Sequence, residues 1–265
     1  MARSTPFAAS QSLTKRLGTS KKPGQMVGKI AAMLASAHCE RVRGFHPEQY
    51  GCRTGRSAVD AGGVTIAQVQ EAWGRGCVVG ALLMEVAAAF PSVARGCLLK
   101  MMRRVGIDEC LVRVTDSFMR DRREIMSVDG QDGKPMDVTT GLPQGSPISL
   151  ALHAIYIADI HETVEDQVED CRGISYVDDL TWAVEGSNVD VVSKLQRCAQ
   201  ASLEWADNNA VRFEETKTDA ILFSNRRKHR QCRRQVRVGS TLRVGFASEA
   251  TRCLGLWLDT SLNLK

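Results

Sequence analysis

The stretch ISYVDDLTW, residues 174 to 182, constrains this chain more than any other. Its apolar flanks read as two short strands, and between them stand adjacent acids, Asp178 and Asp179. Asp is common in tight turns because it tolerates turn geometry and caps its own amides. Two carboxylates side by side at the tip of an apolar hairpin ask for more. They repel, and each raises the other's pKa unless a cation or a hydrogen-bond network offsets the charge. A positive partner is therefore expected at that tip.

A third acid has a comparable setting. The run CVVGALLMEVAAAF (77 to 90) opens as continuous apolar sequence, which reads as a buried strand ending at Glu85. A carboxylate there is costly to desolvate, so it should face a cleft or a cation. If that strand pairs beside the hairpin, Glu85, Asp178 and Asp179 converge on one edge of a sheet. Three oxygen donors without nitrogen or sulfur favour Mg²⁺, with Mn²⁺ as the alternative. Two such ions about 4 Å apart form the clamp that stabilises attacking and leaving oxygens in phosphoryl transfer.

The 265 residues suffice for one large domain or two small ones. The 35 Lys+Arg against 30 Asp+Glu leave a net charge of +5, compatible with nucleic acid and diagnostic of nothing. No apolar run reaches the roughly 18 residues of a membrane helix, and the polar start MARSTPFAASQSLTKRLGTSKKPGQ lacks a signal peptide's apolar core. An intracellular location, nucleus or cytoplasm, with no membrane partner is expected. The nine cysteines form no CxxC pair and read as reduced core residues. Histidines 38, 46, 153, 161 and 229 show no ligand spacing and read as satisfied or solvated.

Along the chain, residues 1–25 read as a flexible basic arm. A helix is expected from Met26 to about Arg41, then a loop over 45–61 carrying Arg53 and Arg56, and a helix through Val69 and Trp73. After the buried strand come helices within 93–106 and 109–121 and a hairpin over 124–138. TTGLPQGSPISLALHAIYIADI (139 to 160) opens as a loop and turns helical after Pro147. Residues 188–209 carry Val191, Leu195, Cys198, Ser202 and Trp205 on one helical face. VRFEETKTDAILFS (211 to 224) reads as a hairpin, and TRCLGLWLD (251 to 259) supplies a late strand. Such mixed order indicates an α+β fold, an antiparallel sheet with helices packed on one face.

YVDDL, with GLPQGSP some thirty residues upstream and ALLMEVAAAFPSV further upstream, resembles the palm of reverse transcriptases, most closely those of non-LTR (LINE-type) retrotransposons. The resemblance runs from about Lys29 to the end and holds in order and spacing. QYGCRTGRSAVDA is similar to that family's fingers segment, FEETKTDAILF to its lysine-bearing motif and CLGLWLD to the hairpin that grips the primer.

The resemblance implies a right-hand polymerase palm and fingers. Residues 26–265 would form the reverse transcriptase domain: 26–75 partial fingers, 76–225 palm with interposed fingers elements, 226–265 a basic connector and primer-grip-like hairpin. The thumb would be largely absent. The resemblance also implies an RNA-directed DNA polymerase that uses two Mg²⁺ ions and deoxynucleoside triphosphates to extend a DNA primer on an RNA template. Glu85, Asp178 and Asp179 would hold the metal, and Lys217 would protonate the leaving pyrophosphate. Phe90 would exclude a ribose 2′-OH. Gln144, Gly145 and Tyr176 would line the nucleotide pocket, and Arg53 and Arg56 would contact template or triphosphate. RRKHRQCRRQVR (226 to 237) resembles a nucleic-acid-binding or nuclear-targeting patch, a solvated connector being the alternative.

Several positions depart from the family. Glu85 stands where the family has aspartate, Pro91 where an acid usually follows the aromatic gate, and an RPI-type segment ahead of the fingers helix is missing or scrambled. Two functions of different class follow: a working polymerase, or a catalytically inactive retrotransposon remnant that keeps the fold and weak nucleic-acid binding.

Overall fold

The computed structural model describes residues 23–128, 131–226 and 234–262. The expected basic arm over 1–25 lies outside them, save that its last three residues already belong to a helix. The basic run at 226–237 lies mostly outside as well.

The chain runs α1 (Pro23–Arg41), α2 (Ala58–Gly74), β1 (Val78–Glu85), α3 (Arg95–Arg104), α4 (Glu109–Met119), then short strands β2 (Arg122–Glu124), β3 (Ser127–Val128), β4 (Gln131–Asp132) and β5 (Met136–Val138). It continues through α5 (Pro147–Tyr156), α6 (Ile160–Glu165), β6 (Cys171–Tyr176), β7 (Asp179–Gly186), α7 (Asn188–Asn208), a 3₁₀ turn (Glu215–Lys217) and β8 (Asp219–Phe223). The last strands are β9 (Gln235–Val238), β10 (Leu242–Ala247), β11 (Ala250–Cys253) and β12 (Leu256–Asp259). No helix among the described residues is long and apolar enough to cross a membrane.

Six strands form the main sheet in the order β6-β7-β1-β8-β10-β9. Neighbours are antiparallel throughout except β8 and β10, which pair in parallel. The α+β class and antiparallel sheet expected from the sequence are what the chain forms. The strand β1 lies between β7 and β8, and both its faces are covered, which is why it reads as an unbroken apolar run. Val78, Leu82 and Met84 join the larger core with residues of α3, α5, α6 and α7, while Val79, Ala81 and Leu83 join a second core with residues of α2, β11 and β12. Most helices thus share one face, and α2 lies on the other with the β11–β12 hairpin.

Local chemistry sets the helix starts. Ser57 and Asp60 form a capping box at α2, and Ser187 and Asp190 form another at α7. Pro147 opens α5, where a missing N–H costs nothing. The 139–160 segment yields two helices rather than one, broken at 157–159.

The hairpin expected over 211–224 is not formed. Phe213 makes an isolated antiparallel bridge to Val86, the chain turns through 3₁₀ geometry, and β8 pairs with β1 instead of folding back on its own neighbours. The apolar alternation was real, but its partner lies far away in sequence. Conversely, the late strand read over 251–259 from the residues is a hairpin, as the resemblance implied, turned at Leu254 and Gly255.

Candidate active site

The antiparallel register of β1 and β7 sets Glu85 directly opposite Asp179. Tyr176 closes the β6–β7 hairpin against Asp179, which leaves Val177 and Asp178 as the turn. Val177 has φ 58°, a region where a β-branched residue is strained and glycine is usual. Two backbone contacts support the tip. The Val86 N–H donates to the Asp178 carbonyl at 2.9 Å, and the Glu214 N–H donates to the Glu85 carbonyl at 2.8 Å.

Glu85, Asp178 and Asp179 line one cleft of about 450 Å³, joined by Lys217, Asp219 and Arg252. The Lys217 ammonium lies 2.5 Å from Glu85 Oε1. Burial pushes the Asp179 carboxyl above its ordinary range, and the charges of Asp178 and Glu85 push it further, against the opposing pull of Arg252 and Lys217. Lys217 is shifted upward chiefly by its hydrogen bond to Glu85. Three mutually repelling carboxylates in one cleft, with oxygen donors only, fit a hard divalent cation such as Mg²⁺. Sequence reasoning missed Asp219 and Arg252. Asp219 lies two residues past Lys217 and faces Leu83 in the β1–β8 register, and Arg252 sits inside a hairpin flagged only as a whole.

The other expected site residues lie outside that cleft. Phe90 is partly buried in the turn after β1, its ring 5.1 Å from that of His153. The loop ahead of α5 is stitched to this turn, since the Leu142 N–H donates to the Phe90 carbonyl at 2.7 Å and the Gly141 N–H to that of Val93 at 2.8 Å. Gly141 has φ 82°, and a Cβ there would meet the Pro91 carbonyl oxygen at 2.6 Å, so only glycine fits. Gln144 and Gly145 follow on the exposed part of the same loop. Tyr176 packs partly buried against the second core.

The two arginines differ. Arg53, its side chain 8% exposed, forms a two-pronged pair with Glu40 at 2.7 and 2.6 Å and donates to the carbonyls of His46 and Gln49. Its guanidinium braces the loop, so this geometry does not carry the template or triphosphate contact expected of it. Arg56 lies half-buried over the Tyr50 ring at 5.0 Å and donates to the Pro47 carbonyl.

That loop touches the acid hairpin. The Tyr50 N–H donates to the Ser175 carbonyl at 2.8 Å, and the Ser175 N–H donates to the Glu48 carbonyl at 3.1 Å. One residue on, Gly51 abuts the turn so closely that a Cβ would lie 2.2 Å from the Val177 nitrogen.

Residues 22–258 match the family model described as reverse transcriptase (RNA-dependent DNA polymerase). Over 152 residues the chain is 31% identical to the RNA-directed DNA polymerase from mobile element jockey of Drosophila melanogaster, an overlap of 56% of this chain and 16% of that relative. Among solved structures it resembles apo telomerase from Candida tropicalis truncated from its C-terminal domain, with a TM-score of 0.58 at 15% identity, covering 92% of this chain and 45% of that one. It also resembles telomerase from Candida albicans in complex with a fragment of telomeric RNA, with a TM-score of 0.57 at 10% identity, covering 91% of this chain and 40% of that one. At these identities the likeness to the solved structures is one of fold. The chain spans less than half the length of each of these relatives.

Proposed function

The chain belongs to the reverse transcriptase (RNA-dependent DNA polymerase) family, and from that premise we propose that it extends a DNA primer on an RNA template by phosphoryl transfer. The observation that carries this reading is the cleft in which Glu85, Asp178 and Asp179 meet across paired strands. These carboxylates would hold Mg²⁺. When bound, the metal would supply electrostatic stabilisation of the oxygens that gain charge as the primer 3′-oxygen bonds to the α-phosphorus and pyrophosphate departs.

The chain's own residues supply the rest. Lys217, with its side chain 57% exposed, can swing from Glu85 and give its Nζ proton to the departing pyrophosphate. Phe90, held by the Leu142 contact, would close the pocket to a ribose 2′-OH. Gln144 and Gly145 would flank the incoming nucleotide, and Arg56 would offer its guanidinium to a phosphate.

A second reading rests on Glu85. Its additional methylene displaces the carboxylate by about one bond length, roughly 1.5 Å, where catalytic constellations tolerate about 0.5 Å. In that reading the chain keeps the fold and salt-sensitive nucleic-acid binding without turnover. Extension of a DNA primer annealed to RNA, with and without Mg²⁺, separates the two. Extension that vanishes in Asp178→Ala/Asp179→Ala supports the polymerase. A folded, duplex-binding protein that extends nothing supports the remnant.

A further inference from the structure

We propose that His46, His161 and Glu165 form a transition-metal site, suited to Zn²⁺, that fastens the 45–56 loop to the palm behind the acid hairpin. Their ligand atoms lie within 4.8 Å of one another. His161 and Glu165 stand one turn apart on α6, which puts both on one face. His46 arrives from the loop after α1, so separation in sequence concealed the set.

Two distances point to a ligand. His46 Nε2 lies 3.3 Å from Glu165 Oε2. That is long for a charged hydrogen bond, about 2.7–2.9 Å, so the pair is loosely held. The second is a missing distance: His161 is 0% exposed, and among the described residues its Nδ1 has no hydrogen-bond partner of normal geometry, with the Gly173 backbone beside the ring. Buried polar nitrogens are rarely left so, and a metal ion would satisfy this one.

The surroundings suit a metal centre. His161 Nε2 is held 2.9 Å from Ser175 Oγ, and Glu165 Oε1 accepts the Gly173 N–H at 2.7 Å, so the atoms behind two of the ligands are already fixed. Two imidazoles and a carboxylate select Zn²⁺ or its first-row neighbours over Mg²⁺, with water as the fourth ligand. The imidazole rings are stacked, centroids 4.5 Å apart and 3° from parallel. To aim its in-plane lone pair at a shared ion, His46 must tilt out of the stack and release the 3.3 Å contact between its Nδ1 and the Glu48 N–H. Its side chain is 13% exposed and belongs to a loop, and the movement gives up its stacking on His161. The consequence reaches the active site, because Glu48 and Tyr50 bond to Ser175 just ahead of the hairpin.

The test needs no polymerase activity. The chelator-stripped full chain is titrated with Zn²⁺ alone against a chromophoric chelator, and thermal melts are recorded with and without Zn²⁺. His46→Ala, Glu165→Gln and Asp178→Ala/Asp179→Ala are compared with wild type. Stoichiometric binding is expected in wild type and the double alanine variant, with affinity lower by about 10–100-fold in His46→Ala and Glu165→Gln. Zn²⁺ should raise the melting temperature of the first pair only. Metal-free melts show which variants fold. If either single variant does not, the visible spectrum of the Co²⁺-loaded wild type decides: tetrahedral bands without sulfur-to-cobalt charge transfer support the site. Charge-transfer bands, no binding, or affinity unchanged in both single variants would overturn it.

Discussion

Lys217 sets its ammonium 2.5 Å from Oε1 of Glu85, binding the acid at the end of β1 to the turn that precedes β8. The additional methylene of glutamate carries the carboxylate outward toward this contact. Glu85→Asp should loosen it and draw the carboxylate back by about 1.5 Å. Single-nucleotide incorporation with Mg²⁺ is then expected to rise by about tenfold, a barrier change of about 1.4 kcal/mol. Equal kcat/KM for the two proteins would mean that glutamate already places its oxygens correctly.

Gly51 is another point at which distant sequence touches the acid turn. A Cβ added there would lie 2.2 Å from the Val177 nitrogen and 3.0 Å from its Cα, both backbone atoms that cannot rotate away. Gly51→Ala should therefore displace the 48–52 loop or the hairpin tip. Overpacking of this kind costs about 1–3 kcal/mol, measurable by urea denaturation. Gly55→Ala makes a useful control: open space surrounds that Cβ, so its cost should come from its φ of 74° alone. If Gly51→Ala proves no less stable than Gly55→Ala, the close approach is not rigid in solution.

Much of this architecture was legible because short-range patterns announce it. Continuous apolar residues ending in Glu85, and apolar flanks around Asp178 and Asp179, placed three acids at strand ends, and a single register between β1 and β7 brought them together. What stayed hidden depends on partners remote in sequence. Asp219 and Arg252 enter the cleft through the positions of β8 and β11, which no local pattern specifies. Spacing marked Arg53 as a cation in a loop, but could not foresee Glu40 on α1 as its acceptor. Phe213 alternates like a strand residue, yet its backbone neighbour is Val86.

Asp179 links charge in the cleft to stability. Burial first, then Asp178 and Glu85, raise its pKa in the folded protein. The unfolded chain therefore gives up this proton at lower pH than the folded one, and stability falls as pH rises from the ordinary carboxylate range through the raised value. Above that window the penalty is constant; below it, absent. Asp179→Asn should accordingly melt about 2–4 °C higher than wild type at pH 7 without divalent metal, with the gap closing near pH 4. Adding Mg²⁺ should narrow the gap at pH 7 by stabilising wild type alone. A variant that melts lower at pH 7 would show that the carboxylate is stabilised by contacts beyond its repelling neighbours.

His153 poses the same question inside the core. It is 1% exposed on α5, neither ring nitrogen has a hydrogen-bond partner among the described residues, and its ring rests against Phe90. Burial pushes its pKa down to about 4. Between the unfolded value near 6.5 and that figure, the unfolded state binds a proton that the folded state refuses, so stability is lost as pH falls through this window. His153→Leu removes both the titration and the unsatisfied nitrogens. The variant should be more stable by about 1 kcal/mol at pH 7, and its advantage should widen on going to pH 5 because only wild type pays the protonation cost there. Chemical denaturation at the two pH values reads both effects. An advantage that shrinks at pH 5 would mean that His153 accepts a proton within the fold, with a partner that stabilises its charged form.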